Sequence, residues 1–381
     1  MKICFWGNIA GALKGNTDGG AELQIALLAK AFARAGHEVV IFDFQCTEDF
    51  TTIEGIKVLK IKGWDNGLRF LRTFTHRIPG IYNGLKAQKA DVYYCRIRDF
   101  RHILAYWAAR KVKAKFVLGM ASDLDVMTFL LRLRHRKVSY SSGLWGLVNG
   151  LLIEIIYPYL LLNADLVLVQ HDGQKKTLAN RGIKSRVFPN LVELSKFPTS
   201  HGKAQNDFVY VGEISERKGF PEFFTIISKC PSYKFGVIGP PSDRSGHAYF
   251  EDLKSFKNVT LYGKLSHAEV LNHMINSKAL ISTSRMEGFP NIFIEAWACG
   301  IPVFSLYVDP GNVIQREGLG VFTNGDLNKM VNAMNFIESS DSFLTNAKAY
   351  VEHFHELNEM KIAEVNDLFA ALLEKGEKQK L

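Results

Sequence analysis

Residues 279–305 read ALISTSRMEGFPNIFIEAWACGIPVFS. An apolar run, Ala279–Ser282, gives way to a polar loop and then to a longer, largely apolar stretch. Gly300 and Pro302 follow, then a second apolar run that ends at Ser305. This order predicts strand, loop, helix, turn, strand. Pro290 suits the first turn of a helix, where its missing N–H costs nothing. Gly300 suits the position just past a helix end, and Pro302 blocks continuation. The predicted helix covers about Pro290–Cys299. Because it follows a strand, its N-terminus opens at the carboxyl edge of the sheet, where open α/β sheets bind ligands. The N–H groups of Asn291, Ile292 and Phe293 are expected to face an anion there, and the helix dipole favours one. Glu287 sits in the loop ahead of that end. Glu295 lies five residues into the helix, about 7 Å along its axis at ~1.5 Å per residue. One carboxylate ahead of an anion site and one a ribose length behind it match the order sugar, diphosphate, ribose. Both carboxylates are expected outside the core. On spacing alone, an ordinary strand–loop–helix unit with two surface glutamates is the commoner explanation of such a pattern.

Outward from this stretch the β-then-α pattern repeats. In the first half, strands are expected at Lys2–Trp6, His37–Phe44, Ile56–Ile61, Asp91–Cys95, Lys115–Leu118 and Asp165–Val169, with a helix over Ala21–Ala35. These short runs, rich in Val and Ile, read as strands buried on both faces of a parallel sheet. Residues 191–206 are polar and carry Pro198, Ser200, Gly202 and Lys203, which reads as a linker. A second series follows, with strands at Phe208–Val211, Lys234–Ile238, Val259–Tyr262, Ala279–Ser282 and Pro302–Ser305, then a helical pattern from Leu327. The expected organisation is therefore two doubly wound domains, 1–190 and 207–353, on either side of a cleft. A C-terminal helical segment, 354–381, is expected to pack back on the first domain.

The 381 residues are too many for one typical core, and the composition is that of a folded protein. A net charge of +9 favours anionic partners: nucleic acid, anionic lipid or a phosphorylated substrate. The five cysteines are scattered without a C-x-x-C pair, which argues against a disulfide framework or a zinc site and fits a cytoplasmic setting. Met1–Gly7 runs straight into a strand pattern, with no signal peptide expected ahead of it. The most apolar stretch, Leu144–Leu162, is interrupted by Asn149, Glu154 and Pro158. A central Glu is costly in a lipid-spanning helix, so a buried or interfacial helix is expected. Arg132, Arg134, Arg136 and Lys137 precede it. With the aromatic, apolar stretch from Trp145, they read either as a peripheral contact with an anionic membrane surface or as solvated charges beside a core helix.

Four segments together resemble one family. Two glutamates separated by seven residues within EGFPNIFIEAWACGIPV resemble the signature of the retaining glycosyltransferases of family four. VYVGEISERKGFPEFF (209–224) resembles that family's strand, phosphate-binding loop and helix. SRVFPNLVEL (185–194) resembles its interdomain segment, and TDGGAELQIALLAKAFARAGHEVVIF (17–42) its first Gly-rich loop and helix. The order is right and the match covers most of the chain. The resemblance implies two Rossmann-like doubly wound domains facing a central cleft, the GT-B fold. It implies a hexosyl transfer from a nucleoside diphosphate sugar to an acceptor hydroxyl, with retention, in cell-surface polysaccharide or glycolipid synthesis. The implied partners are the donor and a glycan or lipid-linked acceptor, not nucleic acid; an anionic membrane surface, on the inner face of the cell membrane, rests instead on one of the two readings of the basic and apolar segments 132–162. No metal or other cofactor is expected.

Carried over residue by residue, Glu287 would contact the donor sugar and Glu295 the ribose. Gly288, Phe289, Pro290, Asn291 and Ile292 would line sugar and diphosphate with backbone groups. Lys218 would neutralise the diphosphate, and Gly19 and Gly20 would let the first-domain backbone approach it. Two departures stand out. The family commonly has Arg directly after the Gly of its V-G strand end, where this chain has Glu213; Arg217 is the candidate replacement. Many members carry a first-domain His near the sugar, where this chain reads GMASDLDV; Ser122 or Asp123 is the candidate for that corner. Asp123-Leu124-Asp125 also forms a D-x-D, a metal-clamp pattern in glycosyltransferases of another fold, but it lies far from the donor motif. Arg96 and Arg98 end a strand and fit either an acceptor contact or a structural role. His171 and His267 have no partner pattern in the sequence. No G-x-G-x-x-G follows the first strand and no P-loop is present. A non-hydrolysing nucleotide-sugar epimerase shares the architecture, and a nucleotide-sugar-binding subunit of weak catalytic power would explain the two departures.

Overall fold

The computed structural model describes residues 1–14, 19–44, 46–68, 71–134, 144–198, 202, 204–335 and 341–377. The chain forms two compact units, Met1–Leu191 with Leu357–Leu381, and Val192–Glu356.

The first unit holds strands β1 (Lys2–Trp6), β2 (Glu38–Asp43), β3 (Phe50–Thr51), β4 (Lys57–Lys60), β5 (Val92–Arg96), β6 (Lys115–Gly119), β7 (Leu166–Val169) and β8 (Arg186–Val187). They form one sheet in the order β3-β4-β2-β1-β5-β6-β7-β8. Only the β3–β4 pair is antiparallel. Ile3, Phe5, Val39, Ile41, Val92 and Val117 are fully or almost fully buried, as apolar runs covered on both faces must be. The chain goes from β1 to β2 on one side and returns to β5 on the other, so the switch point lies between β1 and β5. Its helices include α1 (Gly20–Arg34), α2 (His102–Lys111), α3 (Phe129–Arg134), α4 (Leu144–Asn163) and α5 (Asp172–Ala179).

The second unit has strands β9 (Asn206–Val211), β10 (Phe235–Ile238), β11 (Val259–Gly263), β12 (Ser277–Ser282), β13 (Val303–Ser305) and β14 (Gly320–Phe322). Their order is β11-β10-β9-β12-β13-β14, and every pairing is parallel. Here the order reverses between β9 and β12. The relevant helices are α6 (Phe220–Lys229), α7 (His267–Ile275) and α8 (Asn291–Ala298). The chain then returns to the first unit as α9 (Glu359–Glu377), where Phe369 meets Phe32 of α1 edge-on at 4.6 Å.

Several expectations need correction. The sequence reading passed over β3, β8 and β14, which are two or three residues long. The stretch read as a linker begins as a packed segment. Val192 is 5% exposed, forms a bridge with Glu356 and is followed by a 3-10 turn at Leu194–Lys196. Helix α8 starts one residue later than expected, with Pro290 as its extended cap.

Among the described residues, α4 is the one helix long and apolar enough to cross a membrane. It is anchored from its middle: Glu154 takes ion pairs from Arg98 at 3.2 Å and from Arg132. Tyr157, Leu160 and Leu161 are buried, whereas Leu147, Leu151, Ile155, Tyr159 and Leu162 are exposed. Their spacing at three and four residues makes one outward stripe. Phe129, Leu130, Leu131 and Leu133 of α3 are exposed as well. Arg136 and Lys137 lie outside the described residues, as do the side chains of Arg134 and Trp145.

Candidate active site

The reversal of strand order in the second unit puts two loops side by side at the carboxyl edge, one after β9 and one after β12. Lys218 lies in the first and Glu287 in the second. Lys218 Nζ donates to Glu287 Oε1 at 2.6 Å, and both side chains are only about a fifth exposed. The loops are joined a second time, by Thr283 Oγ1 donating to the Lys218 carbonyl at 3.2 Å. A third tie runs from Arg285 to Glu222 of α6, a carboxylate that also accepts from the Tyr307 hydroxyl at 3.2 Å.

Gly219 explains how the loops come so close. It ends the 3-10 turn Glu216–Lys218 with φ 68°, and a Cβ on it would stand 1.9 Å from the Thr283 carbonyl oxygen. Only Gly fits both the left-handed conformation and the approach.

Beyond Glu287 the chain turns inward. Phe289 is buried against Trp297 and His355, with ring centroids at 6.2 and 5.0 Å. Gly288 and Pro290 on either side of it are buried as well, and Asn291 and Ile292 are half-buried. The Phe293 N–H donates to the Pro290 carbonyl at 3.1 Å, which removes it from the expected anion-facing set.

Glu295 is also corrected: it is a core residue, 6% exposed. Its carboxylate is held by His267 Nε2 at 3.0 Å. That bond raises the imidazole above its ordinary pKa, against the opposing effect of burial. His267 was passed over in the sequence because its partner lies 28 residues away. The local signal was there: Ser266 and Glu269 form a capping box that fixes His267 as the first residue of α7.

Arg217 donates to Glu213 Oε2 at 2.8 Å, on the surface, and Ser242 Oγ reaches the same oxygen at 3.3 Å. Glu213, which departs from the family pattern, and its candidate replacement Arg217 therefore neutralise each other.

In the first unit the candidate polar groups are committed to one another. Ser122 caps the 3-10 turn Asp123–Asp125, and Asp125 accepts from the Ala121 and Ser122 N–H groups at 2.7 and 2.9 Å. Burial raises the Asp125 pKa above its ordinary value. Asp123 Oδ1 accepts from His171 at 3.0 Å and from Gln174 at 2.9 Å. The D-x-D carboxylates thus point at their own loop and at α5. Arg96 donates to Asn190 at 2.8 Å, and Arg98 serves Glu154, which gives both arginines structural partners. Gly19 caps α1 with an extended backbone, φ −151°, so its conformation does not require Gly; a Cβ there would meet the Glu22 carboxylate. Gly20 is the first residue of that helix. Asp43, which the sequence reading missed, is fully buried and accepts from the Ile9 and Ala10 N–H groups at 2.6 and 2.8 Å, shaping the loop after β1.

Comparison with known proteins follows this division of the chain. Residues 192–356 match the family model described as glycosyl transferases group 1, and residues 18–196 match the one described as glycosyltransferase family 4. An uncharacterized glycosyltransferase of Methanocaldococcus jannaschii is 26% identical over 46% of this chain and 47% of its own length, so the match spans about half of that relative. The lipopolysaccharide 1,6-galactosyltransferase of Escherichia coli K12 is 27% identical over 93% of this chain and 95% of its own. The UDP-bound structure of Anabaena Alr3699/HepE superposes with a TM-score of 0.68 at 16% identity, covering 97% of this chain and 100% of that one, which shows the same two-domain GT-B fold. Two adjoining family models spanning 18–356, with the paired glutamates and the basic loop at the switch point of the second, establish that the chain belongs to family four of the glycosyltransferases.

Proposed function

We propose that this chain transfers a hexose from a nucleoside diphosphate sugar to an acceptor hydroxyl with retention at the anomeric carbon, in the synthesis of a cell-surface polysaccharide or glycolipid. The observation that carries this is the Lys218–Glu287 pair across the switch point, with Glu295 behind it on α8. An ammonium has three N–H donors, so Lys218 keeps Glu287 in place while meeting a diphosphate oxygen. Glu287 then accepts from sugar hydroxyls, Glu295 from the ribose, and the first turn of α8 supports the anion. The reaction breaks the bond from the anomeric carbon to the diphosphate oxygen and forms one from that carbon to the acceptor oxygen on the same face. The acceptor proton passes to the leaving diphosphate, so no protein base is required. Positive charge fixed where the leaving group develops negative charge is the main catalytic term.

UDP in the related Anabaena structure and galactosyl transfer in the Escherichia coli relative support a nucleotide-sugar donor and a glycan acceptor. Lys218 supplies the charge that a metal supplies elsewhere, so transfer should persist in EDTA; loss restored by magnesium or manganese would refute this.

The same reading takes a lipid-linked acceptor, met at an anionic membrane on the inner face of the cell membrane. The outward apolar stripe of α4 and the exposed side chains of α3 are the surface for it. Flotation with anionic liposomes at moderate salt should carry the protein upward, and Leu151→Glu with Ile155→Glu should leave it at the bottom. A wild type that stays unbound would end this part of the reading.

The site itself is tested by two variants. Glu287→Ala should leave free UDP, GDP or ADP binding nearly unchanged but abolish sugar transfer to a crude lipid-linked acceptor. Glu295→Ala should weaken the free nucleotide roughly ten- to hundredfold, the range for hydrogen bonds to a charged group. A Glu287→Ala protein that transfers at the normal rate would overturn the assignment.

A further inference from the structure

Glu295 is a carboxylate in apolar company. Its neighbours on α8, Phe293, Ile294, Ala296 and Trp297, are buried. A charge there is costly unless a donor faces it. Among the described residues, the hydrogen bond to its carboxylate comes from His267 Nε2, at Oε1. His267 is itself fixed. The capping box of Ser266 and Glu269 sets the first turn of α7, and Val270, Leu271 and Met274 pack that helix into the core shared with α8. The Glu295 side chain is 8% exposed and that of His267 36%, so the pair is rooted in the core and reaches solvent through the imidazole.

We propose that His267 is a positioning residue for the donor nucleotide: it holds one carboxylate oxygen of Glu295 so that the other is presented to the ribose hydroxyls of a nucleoside diphosphate. This rests on the reading of Glu295 as the ribose ligand. A carboxylate at the end of three rotatable bonds has rotamer freedom that a ribose contact would otherwise have to freeze, and a fixed hydrogen bond removes that cost before the ligand arrives.

The experiment is calorimetry with UDP, GDP and ADP, continued with whichever binds the wild type most tightly. His267→Phe keeps a ring of similar size but offers no donor, and should weaken that nucleotide about two- to tenfold, the worth of one ordinary hydrogen bond. His267→Gln restores a donating N–H and should recover most of the affinity, which a merely space-filling His would not require. In the Glu295→Ala background, His267→Phe should have no further effect, because its action runs through Glu295. His267→Phe binding as well as wild type, or more tightly, while Glu295→Ala binds weakly, would overturn the positioning role. If Glu295→Ala binds normally, or no nucleotide binds the wild type, the ribose reading fails first.

Discussion

Both units end their strands in polar loops beside a switch point, yet they use their charges differently. In the second unit, a lysine on one loop reaches a glutamate on the other, and both remain partly open to solvent. In the first, the described candidate groups support their own surroundings. Asp43 and Asp125 hold backbone N–H groups, Asp123 holds His171 and Gln174, and Glu154 holds Arg98 and Arg132. A carboxylate that supports several N–H groups cannot turn to a ligand without releasing its loop, whereas one held by a flexible ammonium can share it. On the proposed function, the difference separates an edge able to exchange partners with a ligand from an edge organised for shape.

Gly219 offers the sharpest way to break that contrast. Gly219→Ala meets both the left-handed conformation and the Thr283 carbonyl, so the two loops must part. The expected destabilisation is roughly 3 kcal/mol or more, with nucleotide binding lost. Gly36 of the first unit has φ 80° but nothing within 4 Å of its Cβ position, so Gly36→Ala should cost only about 1 kcal/mol, from conformation alone. Urea midpoints for the pair decide it. Equal losses would mean that the close approach of the two loops contributes nothing.

The histidines should give the units opposite responses to pH. In the first, burial pushes His102 down from the ordinary imidazole value of 6.5 to about 4. Its folded form binds a proton less readily than the unfolded chain. The stability tied to the neutral ring is therefore complete above about pH 6.5 and lost as pH falls toward 4, by about 3 kcal/mol in all. In the second unit, the bond to Glu295 raises His267. Its contribution is complete below about pH 6.5 and disappears as pH rises through the elevated value. Melting curves across pH 4–9 should show His102→Gln flattening the acid side and His267→Gln the neutral-to-alkaline side. An acid slope unchanged by His102→Gln would remove the first assignment.

The second unit was the more legible because its chemistry is local. Strand, loop, Pro290, helix and Gly300 follow one another within 279–305, and each residue type has a backbone reason for its place. What escaped was what depends on partners distant in sequence. The burial of Glu295 needs His267, 28 residues earlier; Asp123 finds His171 48 residues later; Asp43 holds Ile9 from 34 residues away. The strands β3, β8 and β14 are too short to show a periodicity. The α4 stretch was legible as apolar, but which of its side chains face outward follows only from Glu154 being drawn to Arg98 and Arg132.

The smallest expected effect concerns Arg217. The family resemblance makes it the replacement for a missing arginine, yet its guanidinium is paired with Glu213, and both side chains are about half exposed or more. Exposed pairs of this kind contribute about 0–1 kcal/mol. The net charge that the pair presents to an incoming diphosphate is near zero, whereas Lys218 is partly buried and lies against Glu287. Arg217→Ala should therefore change nucleotide affinity less than about fivefold, and Lys218→Ala considerably more. Glu213→Gln sharpens the comparison: by freeing Arg217 it should tighten a nucleoside diphosphate in wild-type background and do nothing once Arg217 is Ala. If Arg217→Ala alone costs as much as Lys218→Ala, then Arg217 leaves Glu213 for the phosphates on binding, and the surface of the second unit takes part in the exchange otherwise confined to its switch point.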